Sequence, residues 1–266
     1  MTVDQKPRVS PATPPISRLN LREFPWWLLI ILSIIVAMAI RIIVDPFYQS
    51  IFNTILQGLG TTLYVTVVSF IFALVFGLIL GLGRVSRSLV LRNMAITYIE
   101  CIRGVPILVL IFTISFAVVP AVSRLSGLSN NAISLPTRAI IALVLIYSAY
   151  IAEIIRAGVE SIGRGQMEAA RSLGLSHVQA MRTIILPQAI RNVLPALGND
   201  LIALLKDTSL VSVLGVREIT QVSRLSVSTT FRYEETYFIL TLFYLTMTLV
   251  LSLLLQWLQR RARGNE

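Results

Sequence analysis

Apolar residues run along the chain in six stretches, at about 26–44, 58–83, 94–120, 139–158, 190–206 and 236–258, with the charged residues gathered in the short segments between them. A helix needs roughly twenty apolar residues to cross a bilayer, so the pattern predicts an all-α polytopic membrane protein with about six transmembrane helices. The fifth stretch is the weakest. It holds Pro195, Gly198, Asn199 and Asp200, a composition that predicts a kinked or broken helix lining a polar cavity. Gly77 and Gly81 form a Gly-x-x-x-Gly pair in the second stretch, which predicts close approach of a neighbouring helix.

Composition agrees with the pattern: of 266 residues, 55% are hydrophobic and 14% charged, which leaves no room for a second, soluble domain. The net charge of +10 raises nucleic acid as a partner. The cations sit in short loops beside apolar runs and not on one basic element, so membrane topology and lipid contact account for them and nucleic acid is not expected. Lys6, Arg8, Arg18 and Arg22 precede the first stretch, Arg84, Arg87 and Arg92 follow the second, Arg164, Arg171 and Arg182 follow the fourth, and Arg260, Arg261 and Arg263 follow the sixth. Six spans put all four clusters on one side, predicting cytoplasmic termini with Trp26, Trp27 and Trp257 as anchors at the inner interface. The opposite segment 217–235 is balanced, Arg217, Arg224 and Arg232 facing Glu218, Glu234 and Glu235. Residues 1–25 read as a disordered cytoplasmic tail with Pro7, Pro11, Pro14 and Pro15. Ala37-Met38-Ala39 resembles a signal-peptidase site, but the apolar run is long and its leader extended, so a retained anchor is expected. The single Cys101 and single His177 supply no disulfide and no metal or haem ligand set.

Residues 166–187 form a charged, helix-forming island between spans. Glu168 to Leu173 is a run of helix formers, Gly174 is free to take the positive φ that ends a helix, and Pro187 is expected to stop the helix that follows. Two short helices with a sharp bend would project from the membrane as a knob. Glu168-Ala169-Ala170, then Gly174 four residues on, then Ile184-x-Leu186-Pro187 resembles the coupling loop of ABC importer permeases. The resemblance covers about residues 54–258 and narrows to permeases for polar amino acids. It is carried by Gly60-Thr61-Thr62-Leu63, by Tyr98 to Pro106 with its Arg103-Gly104-Val105-Pro106, and by Lys206-Asp207-Thr208-Ser209-Leu210. Three departures stand out: Val105 replaces the usual Thr, Ser115 replaces a common aromatic, and Asp200 replaces the usual Glu after Asn199.

The resemblance implies a type I ABC importer transmembrane domain at 54–258 with the coupling loop at 163–188 inside it. Residues 26–53 would add an N-terminal transmembrane helix and linker to a five-helix core, and 259–266 would be a cytoplasmic tail. It further implies a multi-pass protein of the bacterial plasma membrane, partnered by ABC ATPase subunits, a second permease chain (identical or paralogous) and an extracytoplasmic amino-acid-binding protein. This subunit would carry no cofactor. ATP and Mg would be bound by the partner ATPase, since no Gly-x4-Gly-Lys-Ser/Thr loop occurs here. The implied ATPase contacts are Glu168, Ala169, Ala170, Gly174, Leu186 and Pro187.

Charged and polar residues inside apolar runs are the candidates for the translocation path. A charge at the bilayer centre costs at least about 2.5–3.5 kcal/mol, so Glu153 faces either a cavity or a partner. Ala149, Glu153, Arg156 and Glu160 recur at spacings of four, three and four, forming one stripe, and both substrate contact and a structural Glu153–Arg156 pair fit it. Asn192, Asn199 and Lys206 share a face at spacings of seven. Asp200 is offset from that face and suits packing or a salt bridge, while Ser115 lies in a segment within reach of substrate. Glu100 and Arg103 suit an interfacial ion pair, and His177 a solvated or capping position. A passive channel would want a filter or charged ring and has no use for a coupling loop; a membrane-embedded enzyme would need a centre that the inventory lacks.

Overall fold

The computed structural model describes residues 26–263 apart from Arg87, Asn130 and Asn131. The expected tail at 1–25, the cations Lys6, Arg8, Arg18, Arg22 and Arg87, and positions 264–266 lie outside the described residues. The described chain is almost wholly helical, and five stretches are long and apolar enough to cross a membrane: Trp26–Val44, Pro46–Arg84, Ile107–Leu125, Leu135–Glu160 and Tyr233–Arg261.

The first stretch is α1 (Trp26–Val44), which is exposed nearly all round, Ile42 being its single buried residue. The second contains α2 (Pro46–Leu56) and α3 (Leu59–Arg84). Asp45 caps α2 by accepting from the Phe47 N–H at 2.8 Å, and Pro46 fits the first turn, where its missing N–H costs no hydrogen bond. The linker expected before residue 54 is therefore a capped helix of its own.

The expected third span, 94–120, is divided. The helix α4 (Leu89–Arg103) ends at Gly104-Val105-Pro106, and the apolar span begins only at Ile107. Pro106 takes an extended ψ of 137° and cannot donate to the preceding turn, while exposed Glu100 and Arg103 mark α4 as a polar-ended helix. The span proper comprises α5 (Ile107–Phe112), a wide π turn over Thr113–Val118, and α6 (Val119–Leu125). Next comes α7 (Leu135–Glu160), capped by Ser134.

The helix α10 (Leu186–Asp207) is the sixth long helix of the bundle and runs beside α7 and α12 (Tyr233–Arg263). It is continuous through Pro195, contrary to the expected break. Proline removes one backbone hydrogen bond, and packing on α7 and α12 holds the remainder. Its polar residues keep it below the apolarity of the other five. Between α10 and α12 lie a 3-10 turn at Thr208–Leu214 and α11 (Ile219–Thr230).

The core is built where α3 crosses α7. A Cβ at Gly77 would lie 2.6 Å from the Ile151 side chain, and one at Gly81 would lie 3.0 Å from Ile155. The Gly-x-x-x-Gly pair thus works as predicted, letting the backbones of two 26-residue helices approach closely. Val65, Ala73, Ile111, Leu143, Ile146, Ile151 and Leu204 fill the interior around this seam.

The candidate coupling loop and polar sites of the bundle

The island between α7 and α10 folds as α8 (Arg164–Ser172), a bend, and α9 (His177–Ala180). Gly174 sits at φ +84°. Its N–H donates to Arg171 O at 3.0 Å and the Leu175 N–H donates to Ala170 O at 3.2 Å, the paired bonds of a Schellman ending. A Cβ at Gly174 would meet open space, so the need for glycine is conformational and not steric. Ser176 and Gln179 then close a capping box that starts α9: the Gln179 N–H donates to Ser176 Oγ, and the Ser176 N–H donates to Gln179 Oε1 at 2.9 Å.

Pro187 does not stop this second helix. The chain passes from α9 through a π turn at Met181–Ile185 straight into α10, with Pro187 in the first turn of α10, where its missing donor is tolerated. Of the predicted coupling residues, Ala170 is buried, whereas Glu168, Ala169, Gly174, Leu186 and Pro187 are exposed. Sequence reasoning passed over the apolar tip: Leu173 is 82% exposed and Val178 74% exposed, one on each side of the bend. The signal was a pair of large apolar residues flanking the glycine of an otherwise polar island.

At the end of α7 nearest this loop, Glu153 stands among three guanidinium groups. Arg84 lies 2.9 Å away, Arg156 2.5 Å and Arg103 3.9 Å. Arg156 also pairs with Glu160, so the predicted stripe is one continuous ionic ladder along α7. The expected Glu100–Arg103 pair does not form: Glu100 pairs with Arg84 at 3.6 Å, and Arg103 turns to Glu153. A salt bridge across three helices was hidden in the sequence because Arg84 falls just past the end of its apolar run.

The three residues at seven-fold spacing on α10 do share a face, and all three are exposed on this chain. Asn192 donates to Ser161 Oγ of α7 at 2.9 Å. Of the packing or salt bridge expected for Asp200, no salt bridge is formed among the described residues, and its Oδ2 is buried with no hydrogen-bond partner there. Two turns along, Asp207 Oδ2 accepts from the Tyr147 hydroxyl at 2.8 Å, and the Tyr147 ring packs against Tyr150 with centroids 5.8 Å apart. Asp207 was read only as part of the Lys206 to Leu210 signature and Tyr147 not at all, because Asp207 lies just outside the predicted span. Ser115 is fully buried in the π turn, its Oγ unpartnered and its carbonyl accepting from Arg138 at 3.3 Å. It therefore belongs to the interior of the bundle and not to an open face of this chain.

Glu218 is also fully buried and makes no salt bridge among the described residues. Its carboxylate accepts from the Thr220 and Gln221 N–H groups at 2.9 and 2.7 Å, capping α11, and from the Tyr244 hydroxyl at 3.1 Å. Burial pushes the Glu218 carboxyl above the usual carboxylate range, against these donors, which favour its ionised form.

Five stretches apolar enough to cross a membrane, with a bent, apolar-tipped knob between α7 and α10, fit the class of membrane transport permeases. The chain belongs to the family of binding-protein-dependent transport system inner membrane components, whose profile matches residues 73–264. It is 41% identical over 217 residues to the probable amino-acid permease protein YxeN of Bacillus subtilis (strain 168), covering 80% of this chain and 93% of that one. It is 39% identical to the glutamine transport system permease protein GlnP of Escherichia coli (strain K12), covering 79% and 93%. A crystal structure of an amino acid ABC transporter with histidines aligns at a TM-score of 0.71 with 40% identity, covering 79% of this chain and 94% of that chain. An inward-facing structure of the MetNI methionine ABC transporter shares the fold at a TM-score of 0.64 and 22% identity. The chain is thus a multi-pass inner membrane protein of the permease class, and the family and fold that its motifs imply are those it has.

Proposed function

We propose that this chain is the permease subunit of an ATP-driven importer for polar or charged amino acids, working by alternating access. The observation that carries the reading is the knob itself: Gly174 and the capping box fix two helices at a set angle, and Leu173 and Val178 stand exposed beside Glu168. A soluble partner with an apolar cleft would cover that tip, and an ATPase subunit supplies the energy that this chain has no motif to provide. ATP and Mg are then held by the partner, and this subunit binds neither. The amino-acid class rests on the relatives named above.

A second permease chain completes the path. Asn199 and Lys206 are exposed on α10, and polar groups at membrane depth call for protein or water and not lipid. Facing copies of α10 would enclose such a lining, with the unpartnered Asp200 carboxylate and the Asp207–Tyr147 pair beside it. Glu153 and Arg156 serve chiefly to fix the ends of α3, α4 and α7, because their charges are already paired. A binding protein would deliver substrate on the side of α11. The termini, residues 84–92 and the coupling loop are assigned to the cytoplasm from the arginine distribution.

The test is reconstitution with the ATPase and binding protein, scored by ATP hydrolysis against a panel of amino acids. Stimulation by one polar amino acid through the binding protein is the expected result; solute flux through the permease without the ATPase would overturn it. Orientation is read separately by single cysteines at Ser88 and Ser228 in a Cys101→Ser background, which should label from opposite sides of intact cells.

A further inference from the structure

Beside the ionic ladder lies a cavity of about 960 Å³ that the transport reading leaves without a role. Arg84 from the end of α3, Arg92 from α4, Arg156 and Glu160 from α7, and His177 from the coupling loop line it. We propose that it binds a phosphate-bearing anion whose headgroup bridges α4 and α7 beneath the coupling loop.

The charges around the cavity are unequal. Arg156 is held by Glu153 and Glu160, and Arg84 by Glu153 and Glu100. These pairs orient two guanidinium groups without filling their donor capacity, since each guanidinium carries five N–H donors. The Arg92 guanidinium is exposed and has no ion pair or side-chain hydrogen bond among the described residues. Three arginines thus surround the space against one lining glutamate, and planar guanidinium groups match phosphate oxygens in paired hydrogen bonds.

The remaining wall is mixed: Ser86 and Asn93 add polar groups, and Ile96, Val159, Ile162 and Met181 give one side of the space an apolar surface. A small inorganic ion makes no use of that surface, whereas the glycerol and first methylenes of a phospholipid do. The cavity also sits at the charged ends of α3 and α7, both within membrane-crossing stretches, which is the level at which basic pockets between helices take anionic headgroups. Because His177 and Met181 belong to the coupling loop, an occupant would brace the knob against the ends of the spans.

The test uses the assembled transporter in nanodiscs of phosphatidylcholine, with or without phosphatidylglycerol. Phosphatidylglycerol retained after purification is counted by native mass spectrometry, and substrate-dependent ATP hydrolysis is measured beside it. We expect Arg92→Gln to lower retention about fivefold, the size expected for one arginine at a membrane surface, and Arg92→Lys to keep most of it. Inorganic phosphate is added to the phosphatidylcholine discs as a separate arm. An Arg92-dependent response to phosphate, with no lipid retained, would keep the phosphate site and assign it to a free ion. Equal retention by wild type, Arg92→Gln and Arg92→Glu, with no response to phosphate, would overturn the proposal. So would loss of ATPase association in Arg92→Gln in phosphatidylcholine alone, which would make the cavity a seat for an acidic segment of the partner.

Discussion

The coupling loop and the helix that follows it obey different rules, although Pro187 joins them. The knob is shaped by residues within about ten positions of one another: a Schellman ending at Gly174, then a capping box from Ser176 to Gln179. The polar face of α10 has almost no local explanation. Asp200 is half-buried with its Oδ2 unpartnered among the described residues, and Asn199 and Lys206 look outward from the single chain. One region carries its own hydrogen bonds, and on the other only Asn192 finds a side-chain partner among the described residues, in Ser161. Local structure is therefore self-sufficient at the knob proposed to meet a motor, and incomplete on the face proposed to meet solute.

The comparison can be broken most severely at the seam that supports both regions. Gly77→Leu would drive a side chain into Ile151, already 2.6 Å from an added Cβ. Overpacking of this kind costs about 1–3 kcal/mol, and at a backbone-to-side-chain crossing we expect the upper end, seen as a large loss of monodisperse protein in size-exclusion chromatography. Next in size, Gly174→Val places a β-branched residue at φ +84°, a strain of about 1–2 kcal/mol. Membrane insertion should stay normal while substrate-stimulated ATP hydrolysis collapses; undiminished hydrolysis would show that the angle of the knob is dispensable.

Glu153→Gln removes the anion shared by Arg84, Arg103 and Arg156. Arg84 and Arg156 keep Glu100 and Glu160, and exposed Arg103 loses its pair, so the loss should be about 1 kcal/mol, less than for a fully buried pair because water reaches this one. Thermal unfolding in detergent should shift down, with the ranking of amino acids unchanged. A changed ranking at wild-type stability would move Glu153 into the translocation path. Asp200→Asn makes the converse case: assembly should be intact and the concentration dependence on substrate altered. An unaltered dependence would reduce the α10 face to packing.

The smallest effect concerns Glu218. Its folded-state pKa is raised by burial, so its contribution to stability is full below the unfolded value and declines as pH rises through the folded one. As pH rises above about 4, the region of the unfolded value, wild type should lose stability that Glu218→Gln does not lose, measured as the difference in unfolding temperature between the two. A parallel pH dependence would remove Glu218 from the titrating groups.

What was legible in the sequence follows the same division. The Gly77 and Gly81 seam and the bend at Gly174 rest on spacing within a few turns and are present as read; of the six expected spans, the first, second, fourth and sixth fall within stretches apolar enough to cross a membrane, the third starts late and the fifth is a long helix of lower apolarity. The errors lie at run ends. Arg84 and Asp207 sit one residue beyond their apolar stretches, so neither was weighed as a charge at membrane depth, yet one anchors Glu153 and the other holds Tyr147. The third span began too early because Ala95 and Ile99 of α4 are buried like span residues, while Gly104 and Pro106 end that helix. Pro187 and Pro195 were overvalued as breakers: a π turn absorbs the first and neighbouring helices hold the second. Such rescue is a property of packing and leaves no mark on the local sequence.

The glycine seam also bears on how movement passes through the molecule. Two helices of 26 residues, each about 39 Å long, lock together over Gly77 and Gly81, so α3 and α7 cannot slide or splay without opening a close-packed joint. They make a stiff double rod whose end beside the coupling loop is tied off by Arg84 and Glu153. A push on the knob would then arrive at the far ends of both helices together, as rotation of one lever. Whatever bends must bend elsewhere, and Gly104-Val105-Pro106, which interrupts the helix between α4 and the next span because Pro106 has no N–H to carry it on, is where such a lever would pivot.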